Sequence, residues 1–232
     1  MIVDTTFNVH SDAHGGDPDS TSPTLRRYHK ILWSKVLPQG KSFELKEKSG
    51  VYLYHCSDLG EFILGSDAIT HSYKNHKRKN WLLKQIPNEV NELFDFGSTI
   101  GAFIVFPNNR IGRKHTINQA RGVNSLIDDR FDLTLECIRL FYLGQQSPLY
   151  DTFSRYKNFF DLFENFENYV RFFFLDDLVD EKQNVKFYLR FDDFKTRPKF
   201  SDIDDYLFYK NRVIDFIKSR NKRIENYALK LT

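Results

Sequence analysis

Residues 51–67, VYLYHCSDLGEFILGSD, decide the class of fold that the sequence predicts. Two runs rich in aromatic and branched aliphatic side chains, VYLYHCS and EFILGSD, flank the tripeptide Asp58-Leu59-Gly60. Runs of this kind, separated by a short turn that contains glycine, are typical of a β-hairpin. The stretch therefore predicts a pair of antiparallel strands in the first part of the chain.

Further stretches are expected to extend this sheet. Residues 101–109, GAFIVFPNN, and residues 114–122, KHTINQARG, predict a second hairpin that turns near Arg110–Arg113. Far downstream, residues 185–191, VKFYLRF, alternate in polarity and predict a late strand that returns to the same sheet.

Apolar residues at helical spacing predict the remaining structure. Leu25, Tyr28 and Ile31 place a helix just after Thr24, which suits the N-cap position. Four other helical stretches are predicted: residues 79–97 around Pro87, residues 125–144 with Gly144 as the stop, residues 149–178 in two pieces broken near Asn165, and residues 202–229 with Asp202 as the N-cap.

Glycine and histidine are confined to the first part of the chain. All 11 glycines lie at or before Gly144, and all 7 histidines lie at or before His115. Because glycine marks turns, the first part is expected to be turn-rich and the second helix-rich. Residues 1–232 are therefore predicted to form a single α+β domain. Its residues 1–24 would be rich in loops, and its antiparallel sheet would pack against C-terminal helices.

Composition limits the class of protein. A net charge of +3 does not by itself indicate nucleic-acid binding, so any electrostatic function must come from local clusters. Cys56 and Cys137 form no disulfide framework, which favours a reducing compartment. The N-terminal residues lack the features of a signal peptide, and no apolar run reaches the roughly 20 residues that span a bilayer. A cytoplasmic protein without membrane contact is expected.

The basic segment LRRYHKILWSK, residues 25–35, contains the first candidate site. Arg26 and Arg27 are expected to hold a phosphate group through bidentate hydrogen bonds, with His29 or Lys35 assisting. The alternative is a partly exposed amphipathic helix whose aromatic side chains pack inward.

His55 and Ser57 stand at the end of the first predicted strand. A strand-end His-x-Ser looks like the opening motif of poly-ADP-ribosyltransferase-like enzymes. The resemblance implies that the histidine bonds a ribose hydroxyl of a nicotinamide dinucleotide, while the serine fixes its amide end. The tyrosine and glutamate strands of those enzymes do not follow at clear spacing. The alternative is a half-buried strand histidine beside a turn serine.

Two basic stretches are candidates for contact with phosphate. Residues 110–115 form a basic turn before Asn118 and Arg121, whose planar polar groups are suited to a base or a carboxylate. A solvated hairpin tip explains the turn equally well. Residues 72–81, SYKNHKRKNW, form the densest basic run and are either an electrostatic contact for a polyanion or a solvated face.

Asp193 is the acidic candidate, because it closes the predicted late strand in the sequence RFDDF. With His29 or His55 it would form an acid/base pair, or one edge of a Mg²⁺ site. Surface solvation is the alternative. No complete metal-binding signature is present in the sequence, so a divalent metal cofactor is left open.

Several blocks are similar to a known family when they are taken together. The blocks are DPDSTSPTLRRYHKILWSK, YHCSDLGEFILGSD, FPNNRIGRKHTINQARG, DDRFDLTLECIRLFY and FDDF. Over nearly its whole length the chain resembles a family of bacterial and phage proteins of unknown function. In that family the Leu-Arg-Arg-Tyr-His…Leu-Trp-Ser-Lys and Thr-Ile-Asn-x-Ala-Arg-Gly blocks recur. The resemblance implies no activity.

The preferred hypothesis is a cytosolic enzyme that recognises a nucleotide or another phosphate compound. A nuclease or phosphotransfer reaction is expected, with ADP-ribosyl transfer as the second chemistry. The expected roles are phosphate binding by Arg26, Arg27 and Arg121, proton transfer by His29 or His55, and substrate orientation by Asn118.

Two non-catalytic alternatives remain open at this point. One is an interaction protein of phage or anti-phage context, in which aromatic helices dock a protein partner. The other is an RNA- or DNA-binding module that uses residues 74–79 and 110–115.

Overall fold

A computed structural model describes residues 3–70 and 84–231. The strands are β1 (Lys35–Val36), β2 (Ser42–Phe43), β3 (Lys46–Lys48), β4 (Val51–Ser57), β5 (Gly60–Ala68) and β6 (Phe103–Pro107). The main sheet is antiparallel with the order β3-β4-β5-β6, and β1 pairs with β2 in a small separate sheet. The predicted α+β class, with N-terminal strands and C-terminal helices, is confirmed.

Helices fill most of the second half of the described chain. In both halves together, the helices of the described residues are α1 (Pro18–Thr21), α2 (Pro23–Trp33), α3 (Pro87–Gly97), α4 (Ile117–Val123), α5 (Phe131–Tyr142), α6 (Tyr150–Arg155), α7 (Lys157–Asp161), α8 (Phe166–Phe172) and α9 (Ile203–Leu229). Three short 3₁₀ turns, at Val9–Asp12, Ile100–Ala102 and Asp176–Leu178, connect them.

The first predicted hairpin is confirmed. Strands β4 and β5 pair with Leu53 opposite Leu64 and Ser57 opposite Gly60, which closes a tight turn at Asp58-Leu59. The positive φ of Gly60, 124°, is a backbone conformation that side chains disfavour, so glycine is required at this turn.

The second predicted hairpin is wrong. Strand β6 pairs with β5, where Ser66 lies opposite Val105, and residues 117–123 form helix α4 instead of a return strand. Thr116 accepts a hydrogen bond from the Gln119 amide, and the Gln119 side chain accepts one from the Thr116 amide. This reciprocal capping box satisfies two amides that a helix start would otherwise leave unpaired, and it favours helix over strand.

The late strand is also wrong. In the described part of the chain, residues 185–191 contribute only one isolated bridge, between Val185 and Val179. Their main-chain groups bond elsewhere: the Tyr188 amide donates to the buried carboxylate of Asp132 at 2.9 Å, and Arg212 donates to the Phe187 carbonyl at 2.7 Å. Side chains therefore take the hydrogen bonds that a sheet would have supplied.

The helix predictions hold with shifted ends. Ser22, and not Thr24, caps α2, and its hydroxyl accepts the Leu25 amide at 3.0 Å. Helix α5 begins six residues later than predicted, at Phe131, because Asp128 and Asp129 have left-handed φ angles of 48° and 66°.

The predicted break near Asn165 and the predicted N-cap at Asp202 are confirmed. Asn165 caps α8 and separates it from the preceding helices, and Asp202 caps the long helix α9. Residues 79–83 of the stretch predicted around Pro87, and the basic run 72–81, lie outside the described residues.

Helix α9 is anchored on the main chain near the start of β6. A Cβ atom on Gly101 would lie 2.9 Å from the Ile217 carbonyl oxygen and would also meet the Asn221 side chain, so only glycine permits this approach. Asn221 Oδ1 accepts the Gly101 amide at 2.8 Å. Arg220 donates to the carbonyls of Gly101 at 2.9 Å and Phe103 at 2.6 Å.

Buried apolar side chains from the sheet and the helices form one continuous hydrophobic cluster. This continuity favours the single domain predicted for residues 1–232, which stays a prediction. Across residues 3–70 and 84–231, no helix combines the length and apolar character needed to cross a bilayer.

Candidate functional site

Polar side chains from four parts of the chain meet around the end of strand β5. Ser66 and Asp67, near the end of β5, face helices α1, α2 and α4 together with the start of β4. We call this group the Ser66 cluster. Its members are Asp19, Arg26, His29, Tyr52, Ser66, Asp67, Asn118 and Arg121.

His29 is fully buried and holds Ser66 in place. The Trp33 indole Nε1–H donates to His29 Nδ1 at 2.7 Å, and His29 Nε2 lies 3.0 Å from Ser66 Oγ. Because indole can only donate, Nδ1 must accept, and the ring proton resides on Nε2 and is donated to Ser66. Burial, and next the nearby Arg220 charge, lower the pKa of His29 to about 3. A neutral ring with both nitrogens bonded is suited to positioning Ser66.

Asp19 is the titratable group of the cluster. Burial raises the pKa of its carboxyl to about 7, and the carboxylates of Asp67 and Asp17 contribute further. Contact with Ser66 opposes the shift. A carboxyl group with this pKa can donate or accept a proton at neutral pH, which is the property required of a general acid or base.

Tyr52 and Arg26 form the outer part of the cluster. The Arg26 guanidinium lies over the Tyr52 ring, 5.1 Å from its centroid, and its Nη2 donates to the Ser20 carbonyl at 3.4 Å. The Tyr52 ring also lies edge-on to His29, with 6.2 Å between centroids. Burial, and then the Asp19 charge, raise the pKa of the Tyr52 hydroxyl, so it stays protonated and can donate.

Arg26 and Tyr52 open onto a groove of about 500 Å³. Its other lining residues are Ser20, Glu47, Lys48, Ser49, Gly50, Val51 and Asn108. The Asn108 side chain lies directly against Gly65, where a Cβ atom would approach it to 2.8 Å, and so connects the groove to β5. Glu47 is paired with Lys30 at 2.6 Å, and Lys48 lies 3.5 Å from Glu61, so Arg26 is the positive charge of the lining that has no ion-pair partner among the described residues.

Asn118 and Arg121 approach the same strand end from helix α4. Asn118 Nδ2 donates to the Ser66 carbonyl at 3.1 Å. The fully buried Arg121 pairs with Asp67 and donates to Thr134 Oγ1 at 2.9 Å. Burial raises the pKa of Asp67 to about 6 although Arg121 opposes the shift. The guanidinium predicted to bind phosphate is thus bonded to protein groups.

Four buried polar atoms of the cluster have no hydrogen-bond partner among the described residues. They are Asp19 Oδ1, Arg26 Nε, Tyr52 Oη and Asn118 Oδ1; Ser66 contacts Tyr52 and Asp19, but no Ser66 hydrogen bond to either of these two atoms has the usual distance and angle. A buried polar atom left unpaired costs about 1–3 kcal/mol, so natural proteins rarely keep several together without a use. The set contains one donor, Arg26 Nε, one acceptor, Asn118 Oδ1, and two groups that can do either, which matches a polar ligand.

The remaining predicted residues lie elsewhere. Arg27, the neighbour of Arg26, is exposed on the other side of α2, with its guanidinium 5.4 Å from the Tyr28 ring centroid. Asp193 is exposed and lies 3.5 Å from Lys195. Neither residue contacts the Ser66 cluster.

Lys35 is enclosed by aromatic rings. Its ammonium lies 4.0 Å from the Phe174 ring centroid and 4.5 Å from that of Phe172, and it donates to the Phe172 carbonyl. Burial, and then the Arg220 charge, lower the pKa of Lys35 to about 7. The amine is occupied by these internal contacts.

His55 and Ser57 bond to each other. His55 Nδ1 must donate to the Glu44 carbonyl at 2.7 Å, so Nε2 accepts from the Ser57 hydroxyl, also at 2.7 Å. Both ring nitrogens are used within the protein. This geometry favours the strand histidine beside a turn serine over the dinucleotide-binding alternative.

Neither a metal centre nor a second cavity competes with the Ser66 cluster within the described residues. The structure, as far as it describes the chain, shows no group of three His, Cys, Asp or Glu side chains arranged to hold a metal ion. A cavity of about 520 Å³ lies beside residues 189–199, and two of its three arginines are compensated: Arg197 pairs with Asp128 at 3.0 Å, and Arg130 pairs with Asp132.

Sequence reasoning found half of the cluster and missed the other half. Arg26, His29, Asn118 and Arg121 are brought together, whereas Asp19, Tyr52, Ser66 and Asp67 were not anticipated. One signal was available, because a small residue followed by two polar ones interrupts an otherwise apolar strand at Gly65-Ser66-Asp67.

Comparison with known proteins identifies the family. Neither a curated protein nor a solved structure matches the chain. A family model does match, over residues 3–224, which is nearly the whole chain. The resemblance carried by the Leu-Arg-Arg-Tyr-His and Thr-Ile-Asn-x-Ala-Arg-Gly blocks is consistent with this match. The chain belongs to the Family of unknown function (DUF6994).

Proposed function

We propose that the Ser66 cluster and its groove bind a nucleotide or a related phosphate ester, and that the protein is an enzyme of the nuclease or phosphotransfer type. The observation that carries this proposal is the set of four unpaired buried polar atoms at the cluster. A groove of about 500 Å³ is within the usual range for a small-molecule site.

Four residues of the cluster have roles in this proposal. Arg26 presents an unpaired Nε donor to phosphate, and the Tyr52 hydroxyl donates beside it. The Asn118 carbonyl oxygen accepts a hydrogen bond from the substrate. Arg121 fixes Asp67 and does not bind phosphate directly.

Asp19 takes the proton-transfer role that the sequence assigned to a histidine. In hydrolysis of a phosphate ester, water adds to phosphorus, the bond to the leaving oxygen breaks, and one proton passes from the water to the leaving group. A carboxyl group with a pKa of about 7 can carry that proton at neutral pH. His29 and Ser66 position this carboxyl group through their hydrogen-bond chain.

The first test compares two neighbouring arginines. Wild-type protein, Arg26→Gln and Arg27→Gln are screened by thermal shift against nucleoside mono- and diphosphates and inorganic phosphate, and hits are titrated by calorimetry. A hydrogen bond to a charged group is worth about 1.5–3 kcal/mol, so Arg26→Gln should bind roughly tenfold more weakly or worse, while Arg27→Gln binds like wild type.

The same panel decides the proposal. Absence of any nucleotide or phosphate binding by the wild-type protein would overturn it, as would equal loss in the two arginine variants. Turnover is then followed on the best ligand with Asp19→Asn, which should bind but not react. Binding without turnover in the wild type would make the protein a non-catalytic binding module and would remove the assignment to Asp19.

A further inference from the structure

A basic surface lies next to the groove. Four cationic side chains and one histidine surround a concavity of about 370 Å³, and the concavity has no acidic side chain on its lining among the described residues. They are Arg110, Arg113, Lys114, His115 and Arg155. None of them forms an ion pair with a carboxylate that the structure describes, so their charge is available to a ligand.

The loop that carries most of these charges is held in one shape. Tyr156 donates to the Asn109 carbonyl at 2.7 Å, and Arg155 donates to the His115 carbonyl at 2.9 Å. Between these two hydrogen-bonded carbonyls, Gly112 and Arg113 both have left-handed φ angles, 61° and 60°. An arginine in this conformation costs about 1 kcal/mol, which the anchoring contacts must offset.

Arg155 provides a second, independent observation. Its two terminal nitrogens donate to the carbonyls of Asp151 and His115, which are uncharged acceptors. Its Nε is buried and has no partner within the described residues. The guanidinium therefore keeps its full charge and one unused donor in the concavity.

Residues of one loop line both the groove and the basic surface. Asn108 lines the groove and Arg110 lines the basic concavity, and two residues of extended chain span at most about 7 Å. A flexible chain of phosphates can therefore contact both at once. The groove offers the Tyr52 ring and the Arg26 guanidinium as planar surfaces for a base.

We propose that the substrate of the Ser66 cluster is single-stranded nucleic acid, whose phosphate backbone crosses the basic surface while one nucleotide enters the groove. This inference rests on the proposed function and adds the substrate class to it. A duplex is expected to bind more weakly, since a paired base enters the groove only at the cost of unpairing.

The test measures binding of labelled oligonucleotides by fluorescence anisotropy across a salt series. The probes are a single-stranded oligo-dT, an oligo-U of the same length, a matched duplex and the mononucleotide. The variant is Arg113→Gln with Lys114→Gln, and the control is Lys182→Gln with Lys195→Gln, which removes two exposed charges outside both sites.

The expected result is specific. Single strands should bind at least tenfold more tightly than the mononucleotide and the duplex. The slope of log affinity against log salt should fall by about 0.7 for each phosphate contact removed, so by about 1.4 in the Arg113/Lys114 variant. The control variant should keep the wild-type slope.

The outcomes separate this inference from the function on which it rests. If the mononucleotide binds and single strands bind no better, the basic surface is not used and the inference is overturned, while the proposed function survives. If single strands bind through Arg113 and Lys114 but Arg26→Gln has no effect, the groove assignment fails for both. A duplex that binds as tightly as a single strand also overturns the inference.

Discussion

Asp19 shows how a single side chain sets the chemistry of the Ser66 cluster. Its residue type and its place in the segment Asp17-Pro18-Asp19 are typical of a solvated turn, and the sequence gives no sign that the carboxyl group is buried. Burial comes from Tyr52 and Ser66, which belong to a distant hairpin. Arg26 and His29 could be predicted as site residues from their clustering, whereas Asp19 required the folded contacts.

The raised pKa of Asp19 predicts the pH dependence of stability. The unfolded chain loses this proton near pH 3.8, whereas the folded protein keeps it until about pH 7. Between these values the folded state binds more protons, so Asp19 lowers the free energy of unfolding as pH rises from about 4 to 7. The Asp19→Asn variant lacks this titration and should gain stability relative to wild type over that interval.

Urea denaturation at pH 5, 6, 7 and 8 measures the effect. The difference in free energy of unfolding between Asp19→Asn and wild type should increase with pH by up to about 1.4 kcal/mol for each pH unit below 7. Asp193→Asn, which removes an exposed carboxylate, is the matched control. A difference that does not change with pH would show that the Asp19 carboxyl group ionises normally.

Helix α9 shows which features of a helix the sequence predicts and which it does not. Its length, its apolar face and the Asp202 cap were all predicted from periodicity. The position at which α9 packs on the sheet was not predicted, because Arg220 bonds to main-chain carbonyls, which have no signature in the sequence. The same limit explains two wrong strand predictions. The capping box with Gln119 favours helix α4, and the Asp132 carboxylate accepts the Tyr188 amide that a late strand would have paired.

Replacing Arg220 by methionine should weaken the packing of α9 against the sheet. The guanidinium is fully buried and donates to the carbonyls of Gly101, Phe103 and Phe173. Each carbonyl left unpaired costs about 1–3 kcal/mol, and relief from burying a cation offsets part of this. The expected net loss is about 2–4 kcal/mol in the free energy of unfolding, measured with urea.

Arg223→Met is the control on the same helix. Arg223 pairs with Asp177 at 2.7 Å near the surface, where such pairs contribute at most about 1 kcal/mol. If Arg220→Met were no less stable than Arg223→Met, the three carbonyls would not depend on the buried guanidinium.

The chain as a whole offers a test of the single-domain prediction. The α+β class followed from the distribution of glycine and from the periodicity of the two halves, because those patterns report on local structure. The continuity of the core did not follow from them, since it depends on contacts between distant segments. The hydrophobic cluster that joins sheet and helices predicts that both unfold together.

The two cysteines report separately on the two halves. Cys56 lies exposed on β4, and a dye attached to it reports on the sheet, while Cys137 is buried in α5 and becomes reactive only when the helices open. One domain predicts that dye fluorescence and Cys137 labelling give the same urea midpoint. Two separated midpoints would show that sheet and helices are independent folding units.

The close approach at Gly101 has an evolutionary consequence. Even a methyl group there would collide with the Ile217 carbonyl oxygen, so no other standard amino acid can replace glycine while α9 stays in its packed position. A homologue with a larger residue at this position must have displaced its terminal helix. The position therefore offers a simple marker for sorting relatives into those that share this architecture and those that have diverged from it.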